Sequence, residues 1–351
     1  MLVLVRSAAA GASEVPVIDI GALFGDDETA QLRVARAIRS ACVEWGFFYI
    51  SQHGIDASLI AELAAVSREF FALPADEKSA IEMARAGRAW RGFFPVGGEF
   101  TSGKPDQKEG IYFGEELPAD DERVRAGRPM HGANLFPARP ASMRAVVLRY
   151  MAEMRKLANV VMRGIALALE LPRDFFERDV TADPLQLFRI FHYPALGSSS
   201  SDPDAWSVGA HTDYGLLTLL LQDDVGGLQV KSASGSFIDA PPIDGTFVCN
   251  LGDMLEKITG GLFKSTLHRV RNSSNRSRLS WPYFFDPSWN TVIRPLPGFQ
   301  MLAVAPDDEA KDRWDGVSVH AAQGTYGQWL LQKTAKVFPD LHVATRVADE
   351  L

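Results

Sequence analysis

His211-Thr-Asp213 sets an imidazole and a carboxylate two residues apart, and in an extended chain such residues project to the same side. Both therefore aim at one point. His268, within Ser265-Thr-Leu-His-Arg269, falls on a later apolar run and can complete a face of two histidines and one carboxylate. Three ligands on one face leave the opposite positions open, which suits an iron(II) centre that must take both a co-substrate and O2. Zinc hydrolases also produce a His-x-Asp with a distant histidine, so the spacing alone leaves the metal open. Arg278-Leu-Ser280, ten residues past His268, narrows the choice. A planar guanidinium fork beside a hydroxyl donor can anchor the far carboxylate of a dicarboxylic acid, for which a zinc hydrolase has no use at that place.

These side chains need a frame. Val15-Pro-Val-Ile-Asp19 reads as a short strand, and Glu28 to Trp45 puts Leu32, Ala35, Ile38, Cys42 and Trp45 on one helical face, stopped by Gly46. Gly46-Phe-Phe-Tyr-Ile50 follows as a buried strand, and Leu59 to Leu73 is helical again until Pro74. Residues 85 to 138 are rich in Gly, Pro and charge with weak periodicity, which predicts long loops lying over a binding surface. Pro140 is expected to open a long helix through Met151, Leu157, Val161 and Ile165, closed by Pro172. From there the texture turns to short β-type runs: Leu185 to Tyr193, Leu216 to Leu221, Leu228 to Lys231, Ser236 to Ala240, Thr246 to Leu251, Ser265 to Arg271 and Ser280 to Phe285. Many short strands at this spacing predict a sandwich or barrel. Thr325 to Phe338 is a final helix ending at Pro339.

Composition bounds the function. With 46% hydrophobic residues over 351 positions the chain can bury a sizeable core, and a net charge of -8 without a Lys/Arg run argues against nucleic acid as partner. No apolar stretch reaches the length of a membrane span. The apolar opening Met1 to Ala12 is not expected to act as a secretory signal, because Arg6 falls inside it rather than before it. Cys42 and Cys249 each sit in an apolar stretch, which argues against a disulfide scaffold and favours a reducing, cytoplasmic setting where ferrous iron survives.

Taken together, these residues resemble the 2-oxoglutarate and iron(II)-dependent oxygenases of the isopenicillin N synthase type. The likeness is carried by Val15-Pro-Val-Ile-Asp19, Gly46-Phe-Phe-Tyr, His211-Thr-Asp-Tyr-Gly-Leu-Leu-Thr218, Gln222-Asp-Asp-Val-Gly-Gly-Leu-Gln229, Asn250-Leu-Gly-Asp253, Ser265-Thr-Leu-His-Arg-Val270, Arg278-Leu-Ser280 and Tyr326-Gly. The resemblance implies a mainly β fold with flanking helices around a distorted jelly roll, the double-stranded β-helix. It implies iron(II) on His211, Asp213 and His268, O2 as oxidant, and 2-oxoglutarate held at its distal carboxylate by Arg278 and Ser280, with Tyr193 before Pro194 helping. Phe191 stands where plant members carry asparagine. Arg189 and Phe284 are expected to face the substrate, although Arg189 reads equally as a buried ion-pair partner and Phe284 as core. The reaction implied is oxidative decarboxylation of 2-oxoglutarate to succinate and CO2, coupled to oxidation, by default hydroxylation, of a small organic molecule, with no obligate protein partner. Three rivals remain: an oxidase of the same fold without 2-oxoglutarate, a non-catalytic small-molecule binder and a zinc hydrolase.

The corresponding division is an N-terminal helix and strand region over 14–125, a supporting helix over 140–175, the dioxygenase core over 180–300 and a helical tail or lid over 301–351. The other histidines read more plainly. His53 and His131 suit turns, His192 a sheet face, and His320 and His342 have no ligand-spaced partner. Asp223-Asp224 suits a hairpin turn. Gly98 to Lys104 imitates a phosphate loop, but Pro105 replaces the Ser/Thr that would meet magnesium, and no strand is expected before it.

Overall fold

Runs such as Leu185–Tyr193 carry apolar residues at odd and even positions alike, which a strand tolerates when both of its faces are covered. The computed structural model describes residues 14–195, 206–296, 298–299, 310 and 313–339, and it covers these runs on both faces. The expectations for Met1 to Ala12, for His342 and for most of 301–312 lie outside the described residues. In chain order the strands are β1 Val17–Asp19, β2 Phe47–Ser51, β3 Gly92–Phe94, β4 Glu109–Gly114, β5 Pro184–Tyr193 and β6 Val208–His211. They continue as β7 Leu217–Gln222, β8 Leu228–Lys231, β9 Phe237–Asp239, β10 Phe247–Leu251, β11 His268–Val270 and β12 Arg278–Ser288.

Eight of them form one sheet in the order β1-β2-β10-β7-β12-β5-β4-β3, and four form a second in the order β6-β11-β8-β9. Between β5 and β12 the chain keeps crossing from one sheet to the other; the β8–β9 hairpin is the one step that stays within a sheet. This alternation is the jelly roll that the family resemblance implies, widened at its edges by β1 and β2 and by β4 and β3.

Alternation along β12 assigns each face. Trp281 donates from Nε1 to Ser67 Oγ at 3.0 Å, and Tyr283 OH donates to Gln186 Oε1 at 2.8 Å, both beneath the helical layer. Ser280, Pro282, Phe284 and Asp286 point the other way, into a cavity between the sheets. Helices Glu28–Glu44 and Ala57–Phe71 begin at Asp27 and Asp56, whose side chains accept the N–H groups of Ala30 and Ser58. Both pack on the long helix Met143–Ala168, which covers β7 and β12. That helix is shorter than expected. Pro140 sits in a turn, its carbonyl accepting from Met143 N at 3.1 Å, and left-handed Glu170 (φ 58°) reverses the chain before Pro172.

The stretch 85–138 is not loop throughout. β3 and β4 extend the large sheet along β5, and every residue of β4 is buried. Their signal is weak because they are short and glycine-rich. At Gly110 a Cβ would stand 2.7 Å from Phe94 and 2.8 Å from Phe191, so the residue that dilutes the strand pattern is the one that lets the sheet close.

Phe188 of β5 lies fully buried against Phe113 and Tyr150, the latter ring 5.1 Å away. Phe188→Ala is expected to lower the unfolding free energy by about 3–5 kcal/mol. Urea denaturation would read this as an earlier midpoint; a change below about 1 kcal/mol would contradict two-sided burial of β5.

Candidate functional site

β6 and β11 pair antiparallel with His268 opposite His211, and the two imidazole centroids stand 4.2 Å apart. The sequence expectation of one extended strand through Asp213 needs correction, because β6 stops at His211. A tight loop delivers the carboxylate instead. Asp253 N donates to the Asp213 carbonyl at 2.8 Å and Met254 N to the Gly215 carbonyl at 2.9 Å. At Gly252 any Cβ would collide with the Gly215 carbonyl oxygen, so this close approach requires glycine.

His211 Nε2 and His268 Nε2 lie 3.8 and 3.7 Å from Asp213 Oδ1. Those separations are shorter than two metal–ligand bonds of about 2.1 Å end to end, so one ion can touch the carboxylate and either imidazole. The Nδ1 atoms lie 2.8 Å from the Gly209 carbonyl and 3.1 Å from the Thr266 carbonyl. A carbonyl only accepts, so each Nδ1 carries the hydrogen and each Nε2 presents a lone pair. Burial, with the His268 imidazole beside it, pushes His211 down to about 3, keeping it neutral and ready to ligate. Burial raises Asp213, but the two imidazoles and the donors Asn250 Nδ2 (2.7 Å) and Thr218 Oγ1 (2.5 Å) outweigh it, and its carboxyl stays below the usual range. Among the described residues this is the group of His, Cys, Asp and Glu side chains placed to hold a metal.

The cavity's other expected anchor is present too. Arg278 is completely buried; Nη2 donates to Gln222 Oε1 at 3.0 Å, while Nε and Nη1 have no hydrogen-bond partner. The Tyr193 ring lies 4.7 Å from the guanidinium, and Tyr193 OH stands 3.4 Å from Ser280 Oγ. Buried charged donors left open in this way are destabilising, and a carboxylate satisfies them.

Arg189 is both things the sequence allows, an ion-pair partner and a cavity wall. Its guanidinium lies 4.1 Å from the Tyr112 ring and 4.7 Å from that of Phe284, with Nη1 3.5 Å from Glu99 Oε1. Glu99 also meets Lys108 Nζ at 2.8 Å and accepts from Tyr112 OH. Lys108 in turn pairs with Asp106, which accepts from Thr101 OH. Burial raises Glu99, but Lys108 and Arg189 outweigh it and hold the carboxyl below the ordinary value. Of this cluster the sequence singled out Arg189 alone. Glu99 was hidden in the imitation phosphate loop, and the available signal was Lys108-Glu109 opening the apolar run Gly110–Phe113.

The expected C-terminal helix runs Tyr326–Val337, starts at a Thr325/Gln328 capping box and closes the cavity with Leu330, Thr334 and Val337. Tyr326 OH donates to Asp286 Oδ2 at 2.5 Å, and burial pushes that carboxyl up to about 7. Arg313 Nη1 donates to Asp253 Oδ1 at 2.5 Å and to Thr212 Oγ1 at 2.9 Å, tying the C-terminal segment to the loop between the two ligands. The remaining described histidines lie away from the three ligands. His53 Nδ1 accepts from Ile55 N, His131 Nδ1 meets the Pro129 carbonyl, His192 pairs with Glu109, and His320 Nε2 lies 3.3 Å from Glu256. Asp223 accepts from Val225 N as a turn residue.

Comparison with known proteins matches residues 15–139 to the non-haem dioxygenase in morphine synthesis N-terminal family and residues 184–287 to the 2OG-Fe(II) oxygenase superfamily. A probable iron/ascorbate oxidoreductase of Dictyostelium discoideum is 46% identical, with 93% of this chain and 96% of that protein covered. The 1-aminocyclopropane-1-carboxylate oxidase of Dictyostelium mucoroides is 40% identical over 93% of this chain and 96% of its own. Among solved structures, a full-length Neurospora crassa protein in complex with alpha-KG and thymine superposes with a TM-score of 0.75 at 29% identity, covering 94% of this chain and 99% of that one.

Asn250→Ala removes one of the two donors that fix Asp213. Anaerobic titration with Fe(II) is expected to show affinity falling by about 10–100-fold, as is usual when a ligand's supporting hydrogen bond is lost. Unchanged affinity would mean that Thr218 alone orients the carboxylate.

Proposed function

Because this chain belongs to the 2OG-Fe(II) oxygenase superfamily, we propose that His211, Asp213 and His268 hold its iron(II) and that Arg278, Ser280 and Tyr193 receive the distal carboxylate of 2-oxoglutarate. The enzyme is a 2-oxoglutarate- and iron(II)-dependent dioxygenase acting on a small organic molecule. With iron(II) bound, one oxygen atom of O2 goes into succinate as 2-oxoglutarate loses CO2, and the other oxidises the substrate, by default as a hydroxyl group. The observation that carries the assignment is Arg278: wholly buried, facing the cavity, with two guanidinium nitrogens open.

The chain's own residues supply position and exclusion. Gln222 fixes one corner of the Arg278 fork, so the open nitrogens are oriented before the ligand arrives. Ser280 adds a neutral donor beside it. Asn250 and Thr218 take one oxygen of Asp213 and leave Oδ1 free toward the imidazoles. Arg189 and Phe284 face the primary substrate in this reading, and the C-terminal helix keeps water out of the cavity. No helix of the described residues is long and apolar enough to cross a membrane, and the free, buried Cys42 and Cys249 support a cytoplasmic setting.

The substrate is sought by measuring succinate release under O2 across a panel. The relatives suggest 1-aminocyclopropane-1-carboxylate and thymine as starting points, and the panel widens from these to amino acids and nucleobases and adds phenolics. Succinate formed only with one chemical class identifies that class; no succinate with any compound would defeat the dioxygenase assignment.

Two sets of substitutions test the roles. His211→Ala, Asp213→Ala and His268→Ala are each expected to abolish turnover, and Asp213→Glu to fail as well because its longer arm displaces the ligating oxygen. Wild-type activity in any of the three alanine variants would remove that residue from the metal set. Arg278→Lys keeps the charge but loses the fork, and the KM for 2-oxoglutarate is expected to rise by roughly one to two orders of magnitude, equivalent to about 1.5–3 kcal/mol. Ser280→Ala should cost less. Steady-state kinetics with the primary substrate saturating decide the matter: a rise in the substrate's KM instead would place Arg278 on the substrate and favour an oxidase that does without 2-oxoglutarate.

A further inference from the structure

We propose that the primary substrate is an α-amino acid bound as its zwitterion, its carboxylate on the Arg189 guanidinium and its ammonium on the Glu99 carboxylate. This rests on reading the cavity as an iron(II) and 2-oxoglutarate site, which already employs Asp213 and Arg278. The charged groups of the cavity wall that remain are Glu99, Lys108, Arg189 and Asp286. Lys108 is occupied by Asp106 and Glu99. Asp286 is occupied by Tyr326.

That leaves Arg189 and the Arg189 side of Glu99: Glu99 Oε1 accepts from Tyr112 OH, while Oε2 lies 2.8 Å from Lys108 Nζ without receiving a hydrogen bond, so the Arg189–Glu99 contact itself is incomplete. Their closest approach is 3.5 Å, well beyond the ~2.7–2.9 Å of a saturated charge-assisted bond. Arg189 Nε has no hydrogen-bond partner, and the plane of the guanidinium is steadied by the Tyr112 and Phe284 rings rather than by a carboxylate fork. Glu99 is 2% exposed. A buried pair of opposite charges held slightly apart is complementary to a ligand carrying both charges next to each other. A carboxylic acid without an amine would satisfy Arg189 and face Glu99; an amine without a carboxylate would satisfy Glu99 and face Arg189 and Lys108. The zwitterion meets both at once and adds no net charge to a site that cannot screen it. Its side chain then has the apolar wall of Leu187, Leu220 and Phe284 to lie along.

The test uses the metal-loaded, full-length enzyme with 2-oxoglutarate, O2 and a panel of the standard L-α-amino acids, 1-aminocyclopropane-1-carboxylate and longer basic homologues. The best responder is then compared with its two truncated analogues, the amine lacking the carboxylate and the acid lacking the amine. Both analogues are expected to lose at least about 10-fold in kcat/KM, the effect of about 1.4 kcal/mol. Arg189→Gln should erase discrimination against the amine, and Glu99→Gln discrimination against the acid. A second readout needs no turnover: the responder should raise the unfolding temperature of the metal-free protein, and Arg189→Gln should abolish that rise. If Glu99→Gln does not fold, the wild-type analogue series and Arg189→Gln decide by themselves. The proposal is overturned if either analogue is turned over as well as the amino acid, or if a nucleobase or phenolic supports succinate release and no amino acid does. Failure of the underlying dioxygenase reading looks different: 2-oxoglutarate would go unconsumed with every compound, while amino-acid binding to the metal-free protein would persist.

Discussion

The antiparallel pairing that sets His268 opposite His211 is the constraint from which the rest of the site follows. The third ligand position, Asp213, reaches the two imidazoles from beyond the end of β6, and the loop that carries it is clamped by backbone donors from Asp253 and Met254 and by the absence of a side chain at Gly252. The same loop is held from outside by Arg313 through Thr212. A site needing ligand placement to a few tenths of an ångström is thus built on two strands and a pinned loop rather than on a free one.

Electrostatics imposes the second level of order. Asp213, Glu99, Lys108, Arg189 and Arg278 all lie in or on one poorly hydrated space, where an uncompensated charge costs several kcal/mol. Each has an internal partner, but the partnerships differ in completeness. Lys108 is tightly enclosed, whereas Arg278 and Arg189 keep nitrogens without partners. Under the proposed assignments this incomplete pairing has a use: the protein forgoes some stability without ligand so that arriving carboxylates find donors already oriented and desolvated.

Much of this was legible in the chain because ligand spacing and strand alternation are local. His211, Asp213, Arg278 and Ser280 announce themselves by type and interval, and the runs Leu228–Lys231 and Thr246–Leu251 by their β character. The jelly-roll order itself came from family resemblance, since no local pattern says which strands cross between sheets. What stayed hidden depends on contacts across sequence. β4 lost its strand signature to Gly110 and Gly114, which are there to admit Phe94, Phe191 and Arg91. Arg189 was legible as a pocket residue or a buried ion-pair partner, but its partner Glu99, 90 residues away and between β3 and β4, was not, because nothing local to either residue shows their contact.

The C-terminal helix shows how the two levels join. Leu330, Thr334 and Val337 complete the cavity wall, while Tyr326 hydrogen-bonds Asp286 on the strand that also bears Arg278 and Ser280. At Gly215, next to the Asp213 loop, an added Cβ would collide with Asp286 Oδ1, so this carboxyl packs directly on the metal-site loop. Burial pushes Asp286 up to about 7, which lets it sit near Asp213 without imposing a full second negative charge there. One buried carboxyl therefore fastens the C-terminal helix, the strand β12 and the loop that carries Asp213 to a common point. The wall that closes the cavity and the loop that places Asp213 thus share one buried contact, so a change at Asp286 reaches both.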